Sequence, residues 1–220
     1  MTAWTPASRA AAVDAILEQA PVLPVLNITQ LDDAVPLARA LVEGGLLVLE
    51  VTLRSDAALA AISAIRAEVP AAIVGAGTVL TPGDLERVID AGGMFAISPG
   101  ATGALYAAAA AAQIPLIPGL ATASELMCGL DHGYRRFKFF PAVAAGGVAA
   151  LKAFAGPFPQ AKFCPTGGID SSSAGDYLAL GNVITVGGSW MAPERAVRGR
   201  DWAGIVSLAR DCTRLRVTAG

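Results

Sequence analysis

Of the three lysines in the chain, one stands among aromatic residues, in Phe137-Lys138-Phe139-Phe140-Pro141. An ammonium there loses hydration, and burial disfavours the charged form of an amine. The neutral amine is the form that attacks a carbonyl carbon to build a Schiff base. The competing reading is a lysine that snorkels to solvent or pairs with a carboxylate. Glu50 is a matching anomaly in the apolar run Leu46-Leu47-Val48-Leu49-Glu50-Val51-Thr52-Leu53-Arg54. On an extended strand Glu50, Thr52 and Arg54 share one face. A carboxylate facing inward can act as general acid and base, and the planar fork of Arg54 suits a substrate carboxylate. Alternatively, Glu50 and Arg54 form an internal ion pair with no chemistry. Two glycine turns, Thr166-Gly167-Gly168 and Gly187-Gly188-Ser189, expose backbone N–H groups suited to a phosphate. Glycine pairs also simply turn a chain.

Other reactive side chains compete poorly. Lys162 opens an apolar run and belongs at the opposite end of its strand, and Lys152 falls in a helix. His132, the only histidine, follows Asp131 at a helix end without the further ligands a zinc site needs. No metal is expected. Cys164 reads as a small buried apolar residue, and Trp190 and Tyr177 as packing residues.

What must position these groups is a repeat of short apolar runs returning every 20 to 27 residues, separated by stretches of helical spacing. Eight runs are found: 22–28, 46–53, 72–79, 94–98, 114–117, 136–140, 161–165 and 183–186. Helices are expected at Leu31 to Glu43, Asp56 to Glu68, Pro82 to Ala91 and Ala123 to Leu130, with starts signalled by Thr81, Thr122 and Ser124. The alanine run at 107–112 is a further helix former. Near-continuous apolar strands imply a parallel sheet covered on both faces, and eight units fit a (β/α)8 TIM barrel. The alternative is a doubly wound sheet, which usually carries a glycine fingerprint after its first strand, where this chain has Asn27 and Thr29. Proline follows four runs, at Pro99, Pro118, Pro141 and Pro165, and marks where ladder pairing stops. Those ends would form the mouth where barrel active sites sit, with the glycine turns after strands seven and eight at the recurrent phosphate site. No linker interrupts the pattern, so one domain over 1–220, opening on an N-terminal helix, is expected.

Composition narrows the partners. Charged residues make up 15% of the chain against about 25% in most soluble proteins, which implies surface buried between subunits. A net charge of -2 without a basic cluster argues against nucleic acid. Apolar stretches end before the roughly 18 residues of a membrane span, and Arg9, Asp14 and Glu18 spoil a secretory signal. Three scattered cysteines (Cys128, Cys164, Cys212) suit free thiols in a reducing cytoplasm.

The motifs Leu49-Glu50-Val51-Thr52-Leu53-Arg54, Gly75-Ala76-Gly77-Thr78, Ile97-Ser98-Pro99-Gly100, Phe137-Lys138-Phe139-Phe140-Pro141, Cys164-Pro165-Thr166-Gly167-Gly168 and Gly187-Gly188-Ser189-Trp190 together resemble the bacterial 2-keto-3-deoxy-6-phosphogluconate aldolases, a family that includes 4-hydroxy-2-oxoglutarate aldolase activity. The likeness runs from about residue 10 to 210. It implies a homotrimeric, cytoplasmic (β/α)8 class I aldolase that splits a keto acid phosphate into pyruvate and glyceraldehyde 3-phosphate. No cofactor beyond the covalent imine on Lys138 is implied. Carried over by position, Glu50 shuttles protons, Arg54 and Thr78 hold the pyruvyl carboxylate, and Pro99 and Phe140 wall the pyruvyl pocket. Thr166, Gly167, Gly168, Gly188 and Ser189 line the phosphate end. The family often has Glu where this chain has Val143 and Ser where it has Ala121, both near the mouth. A metal-dependent pyruvate aldolase and a phosphate-sugar-binding barrel without catalysis are the alternatives. The single histidine counts against the first, and an amine in an aromatic strand opposite a carboxylate against the second.

Overall fold

The computed structural model describes residues 4–215. Strands and helices alternate: α1 (Pro6–Leu17), β1 (Val22–Leu26), α2 (Leu31–Glu43), β2 (Val48–Thr52), α3 (Ala58–Glu68), β3 (Ile73–Gly77), α4 (Pro82–Asp90), β4 (Ala96–Ile97), α5 (Gly103–Ala111), β5 (Leu116–Ile117), β6 (Gly119–Leu120), α6 (Ala123–Asp131), β7 (Arg136–Phe139), α7 (Gly147–Ala155), β8 (Lys162–Pro165), α8 (Ala174–Leu178), β9 (Val186–Gly188), α9 (Glu194–Arg198) and α10 (Trp202–Thr213). This is a parallel α/β architecture. One sheet has the order β5-β4-β3-β2-β1-β9 and the other β6-β7-β8, every pairing being parallel.

Helix starts follow local chemistry. Thr81 and Thr122 each accept the N–H of the third helical residue while Asp84 and Glu125 bond back to the cap backbone, satisfying donors that a helix start leaves orphaned. Ser124 is not a cap but lies inside α6. α2 begins with Asp32 and Asp33 at the positive end of its dipole. Its buried Ala34, Leu37, Ala38 and Leu41 recur at helical spacing and form the face that meets the core.

Two strand expectations need correction. Pro118 does not end the fifth run but divides it. Leu116 and Ile117 pair with β4, and Gly119 and Leu120 pair with β7. Proline has no N–H to give, yet its carbonyl accepts from Lys138 N–H at 2.9 Å, so the chain changes ladder partner there. Pairing likewise continues past Pro165, whose neighbour Thr166 donates to the Phe139 carbonyl at 2.9 Å. The last strand starts at Val186, not Val183, because its pairing with β1 begins at Val22↔Val186 and runs on through Gly187 and Gly188. Isolated bridges Phe163↔Val183 and Thr166↔Gly187 link β8 to this segment.

The core has two parts. The larger lies between strands and covering helices. The smaller gathers Val13 and Leu17 of α1 with Leu23, Val48, Phe95, Ile97, Ile117 and Cys164. Val48 is the first residue of β2, and the first residue of β7, Arg136, is gripped by Asp14 of α1 through bonds of 2.5 and 2.6 Å. α1 therefore lies against the strand starts. Residues two further along, Glu50 and Lys138, share the faces of Val48 and Arg136 and stand one layer above this floor.

Candidate active site

Lys138 and Glu50 are brought together from strands 88 residues apart. Nζ lies 2.9 Å from Glu50 Oε1, and the residues are 6% and 0% exposed. Across the register Lys138 is flanked by Gly119 and Cys164, and its ammonium stands 5.5 Å from the Phe140 ring centroid, within the range of cation–π attraction. Glu50 thus pairs with the lysine, and the expected alternative, an ion pair with Arg54, is not formed. Its second oxygen, Oε2, is buried with no hydrogen-bond partner among the described residues. A buried carboxylate oxygen left unpaired is costly and offers an acceptor to an incoming hydroxyl or water.

Room for that carboxylate comes from a glycine. A Cβ at Gly77 would stand 2.0 Å from Glu50 Oε1, so the glycine inside β3 marks a close approach. Beside the pair, burial pushes the Cys164 thiol up to about 12, which keeps it neutral there.

The other expected residues all lie at or just beyond strand ends on the same side. Arg54, past β2, is exposed and donates from Nε to Thr52 Oγ1 at 3.1 Å. Together with Ser189 it lines a cavity of about 500 Å³ that reaches to Asn27 and Gln30. Thr78 follows β3, half-buried, with φ of 61°, a left-handed conformation that β-branched residues seldom adopt. Pro99 follows β4 and Phe140 follows β7, both half-buried. Close packing recurs here, since a Cβ at Gly119 would lie 2.3 Å from the Pro99 carbonyl.

At the glycine turns, Gly167 and Gly168 have φ of 106° and 80°, which only glycine adopts readily. Thr166 is buried against Gly187, where a Cβ would come 2.2 Å from its Oγ1. Trp190 lies over Gly188, and Ser189 is exposed between them. Gly167 approaches Phe140, so this turn borders the lysine's strand. Val143, 52% exposed, lies against Gly168. Ala121 gives its N–H to the capping carboxylate of Glu125 at 2.8 Å.

The remaining candidates stand apart. His132 caps the C-terminus of α6 and stacks on Tyr106 at 4.4 Å. Lys152 and Lys162 are exposed. Among the described residues no group of three or more His, Cys, Asp or Glu side chains is placed to hold a metal ion. Three contributors had escaped the sequence reading: Gly77, the Thr52 hydroxyl, and Ser98, fully buried with its Oγ accepting Gly119 N–H at 3.3 Å. A glycine inside an apolar strand, which often marks a close approach, is the signal that could have revealed the first.

A parallel α/β protein with a buried amine and a buried carboxylate in contact within its strands has the equipment of the proteins that handle carbonyl compounds through a lysine. Comparison with known proteins narrows the class. The family model for KDPG and KHG aldolase matches residues 13–208, and the chain belongs to that family. The KHG/KDPG aldolase of Escherichia coli K12 is 56% identical over 198 residues, 90% of this chain and 93% of that protein. A crystal structure of the KDPG aldolase of Legionella pneumophila, with pyruvate captured at low pH as a covalent carbinolamine intermediate, superposes with a TM-score of 0.90 at 52% identity. It covers 91% of this chain and 97% of that one. The 2-keto-3-deoxy-6-phosphogluconate aldolase of Zymomonas mobilis ZM4, crystallised with 3-phosphoglycerate, superposes with a TM-score of 0.89 at 48% identity, covering 94% and 97%.

Proposed function

We propose that the protein is a class I aldolase that cleaves 2-keto-3-deoxy-6-phosphogluconate to pyruvate and glyceraldehyde 3-phosphate, and that it also acts on 4-hydroxy-2-oxoglutarate. The observation that carries the reading is the 2.9 Å contact between Lys138 and Glu50, with Oε2 of the carboxylate unpaired beside it. Glu50 takes a proton from the amine, and neutral Nζ attacks the C2 ketone to give a carbinolamine. Returning the proton to the C2 oxygen expels water and leaves an iminium. Glu50 then accepts the C4 hydroxyl proton as the C3–C4 bond breaks, its electron pair flowing into the iminium to form an enamine while the aldehyde departs. Reprotonation at C3 and hydrolysis release pyruvate and restore the amine. The iminium is the electron sink, so the cleavage calls on no metal.

In this reading Arg54 and Thr78 hold the pyruvyl carboxylate, Pro99 and Phe140 wall the pyruvyl pocket, and Thr166, Gly167, Gly168, Gly188 and Ser189 receive the phosphate. Their common position at the strand ends supports it, as does the contact between a buried amine and a buried carboxylate from separate strands, which a binding barrel without catalysis has no use for. We read 1–220 as one (β/α)8 barrel domain. The bridges from β8 to the β9 segment and the continuation of β5 into β6 support closure. A cytoplasmic homotrimer fits the low charge content, the free thiols of Cys128, Cys164 and Cys212, and exposed Leu31, Leu80, Met127 and Val143. No helix among the described residues is long and apolar enough to cross a membrane.

The test is reduction with borohydride in the presence of pyruvate, followed by peptide mass mapping. A three-carbon adduct on Lys138 is expected. An adduct on Lys152 or Lys162, or none, would overturn the assignment, and activity abolished by a chelator would favour a metal-dependent aldolase.

A further inference from the structure

Thr52 is not among the residues proposed to touch substrate, yet it ends β2 fully inside the protein, 2% exposed, two residues before Arg54. Its Oγ1 lies 2.9 Å from the Leu26 carbonyl oxygen and 3.1 Å from Arg54 Nε. A hydroxyl has one proton to donate. The carbonyl can only accept, so that proton is committed to Leu26, and Oγ1 turns a lone pair toward the Nε–H of Arg54. The direction of both bonds is therefore settled by the chemistry of the partners.

A guanidinium is planar and rigid, so a bond at Nε restrains the orientation of both Nη groups. Arg54 is otherwise exposed and lines the cavity that also reaches Ser189, and among the described residues no hydrogen bond or ion pair engages either Nη. A long exposed side chain normally loses rotamer freedom when it grips a ligand, and fixing it beforehand lessens that loss. We infer that Thr52 is a positioning residue for the aldolase reaction: by holding Nε it aims the free edge of Arg54 at the carboxylate of the keto acid. The inference rests on the reading of Arg54 as the carboxylate clamp.

The experiment compares Thr52→Val, Thr52→Ser, Arg54→Ala and the double variant Thr52→Val with Arg54→Ala. The readout is the concentration of carbonyl compound that half-saturates borohydride trapping, measured with pyruvate and with acetone, a ketone that has no carboxylate. Thr52→Val is expected to raise the pyruvate value on the order of tenfold, the lower range for one hydrogen bond to a charged group, and to leave acetone trapping unchanged. Thr52→Ser restores the wild-type value, and in the Arg54→Ala background Thr52→Val adds nothing. If Thr52→Val fails to fold with the Leu26 carbonyl unpaired, Thr52→Ala, which leaves room for water to reach that carbonyl, takes its place. Equal losses with pyruvate and acetone, no loss with pyruvate, or a further loss in the Arg54→Ala background each overturn the role of Thr52 alone, provided that Arg54→Ala itself weakens pyruvate. If Arg54→Ala leaves pyruvate saturation unchanged, the clamp itself is overturned, and the inference with it.

Discussion

Replacing Gly77 with alanine should disable the site without changing any residue proposed to meet substrate. The added Cβ would stand 2.0 Å from Oε1, 2.7 Å from Cδ and 2.8 Å from Cγ of Glu50, whereas non-bonded heavy atoms rest at roughly 3.5 Å. The carboxylate must retreat by about 1.5 Å or the strands must part. Either shift takes the 2.9 Å contact with Lys138 beyond the roughly 3.2 Å limit of a hydrogen bond. A misplacement of about 1 Å costs on the order of 10² in rate, and complete loss of a positioned proton-transfer group costs about 10² to 10⁴. We therefore expect kcat for pyruvate release to fall about 10²-fold to 10³-fold. Overpacking should cost roughly 1–3 kcal/mol, which lowers Tm by about 2–12 °C for a chain of this length. Pyruvate release under a coupled assay and a thermal melt measure both. Gly103→Ala serves as the control, since its Cβ would meet nothing within 4 Å, and should alter neither. A Gly77→Ala enzyme within threefold of wild-type turnover would refute the argument that this glycine makes room for the carboxylate.

Four further outcomes are expected. Glu50→Gln should lose about 10² to 10⁴ in turnover while keeping its fold, and near-normal turnover would return Glu50 to a purely structural part. Ser189→Ala should lose about one to two decades in kcat/KM for the phosphorylated keto acid, matching roughly 1.5–3 kcal/mol for a hydrogen bond to a charged group, and far less for its unphosphorylated analogue; equal losses would mean that Ser189 does not read the phosphate. Asp14→Ala removes both bonds to Arg136 and should destabilise the fold by about 1.5–3 kcal/mol in a denaturant titration, without changing the trapping of pyruvate on Lys138. Backbone N–H donation from Ala121 and Thr122 holds the Glu125 carboxyl below the usual range. A lowered value in the folded state means that its stabilisation is full above the unfolded value and is lost as pH falls through the folded one. Because this carboxylate is largely exposed the contribution should stay below about 1 kcal/mol, and Glu125→Gln should flatten the acid limb of a stability–pH curve by that amount; an unchanged limb would contradict it.

Charge in the wrong place made the chemistry legible from residue order alone. Lys138 among phenylalanines and Glu50 among valines and leucines have no reason to be buried except each other and a ligand. Helix starts were equally plain where a threonine precedes an acidic residue by three, as at Thr81 and Thr122. Pairing across 88 residues was not, since one-dimensional periodicity names a face but not the neighbour that faces it, and Arg54, on the same face of its strand, stood as an alternative partner for Glu50. Pro118 was misread because a proline stops donation but not acceptance, and the strand resumes with a different neighbour. The start of β9 was placed three residues early because Val183 and Ile184 continue the apolar pattern while bonding to Phe163 of β8, and pairing with β1 begins only at Val186. Thr52 remained invisible for a related reason. Its worth lies in where one hydroxyl proton is directed, which depends on a carbonyl in another strand.

The floor laid by α1 has a consequence for the order in which products depart. With Val13 and Leu17 packed beneath the lysine's layer and Asp14 gripping Arg136, traffic is confined to the side where Arg54 and Ser189 open. In the proposed reading the pyruvyl fragment is the inner one, tethered to Nζ, and the aldehyde lies between it and the exit. That placement predicts sequential release: the outer fragment clears before water reaches the enamine-derived imine and frees the inner one. Run backwards, the same arrangement obliges pyruvate to load first, and a high concentration of aldehyde can obstruct the entrance before any carbon bond is made.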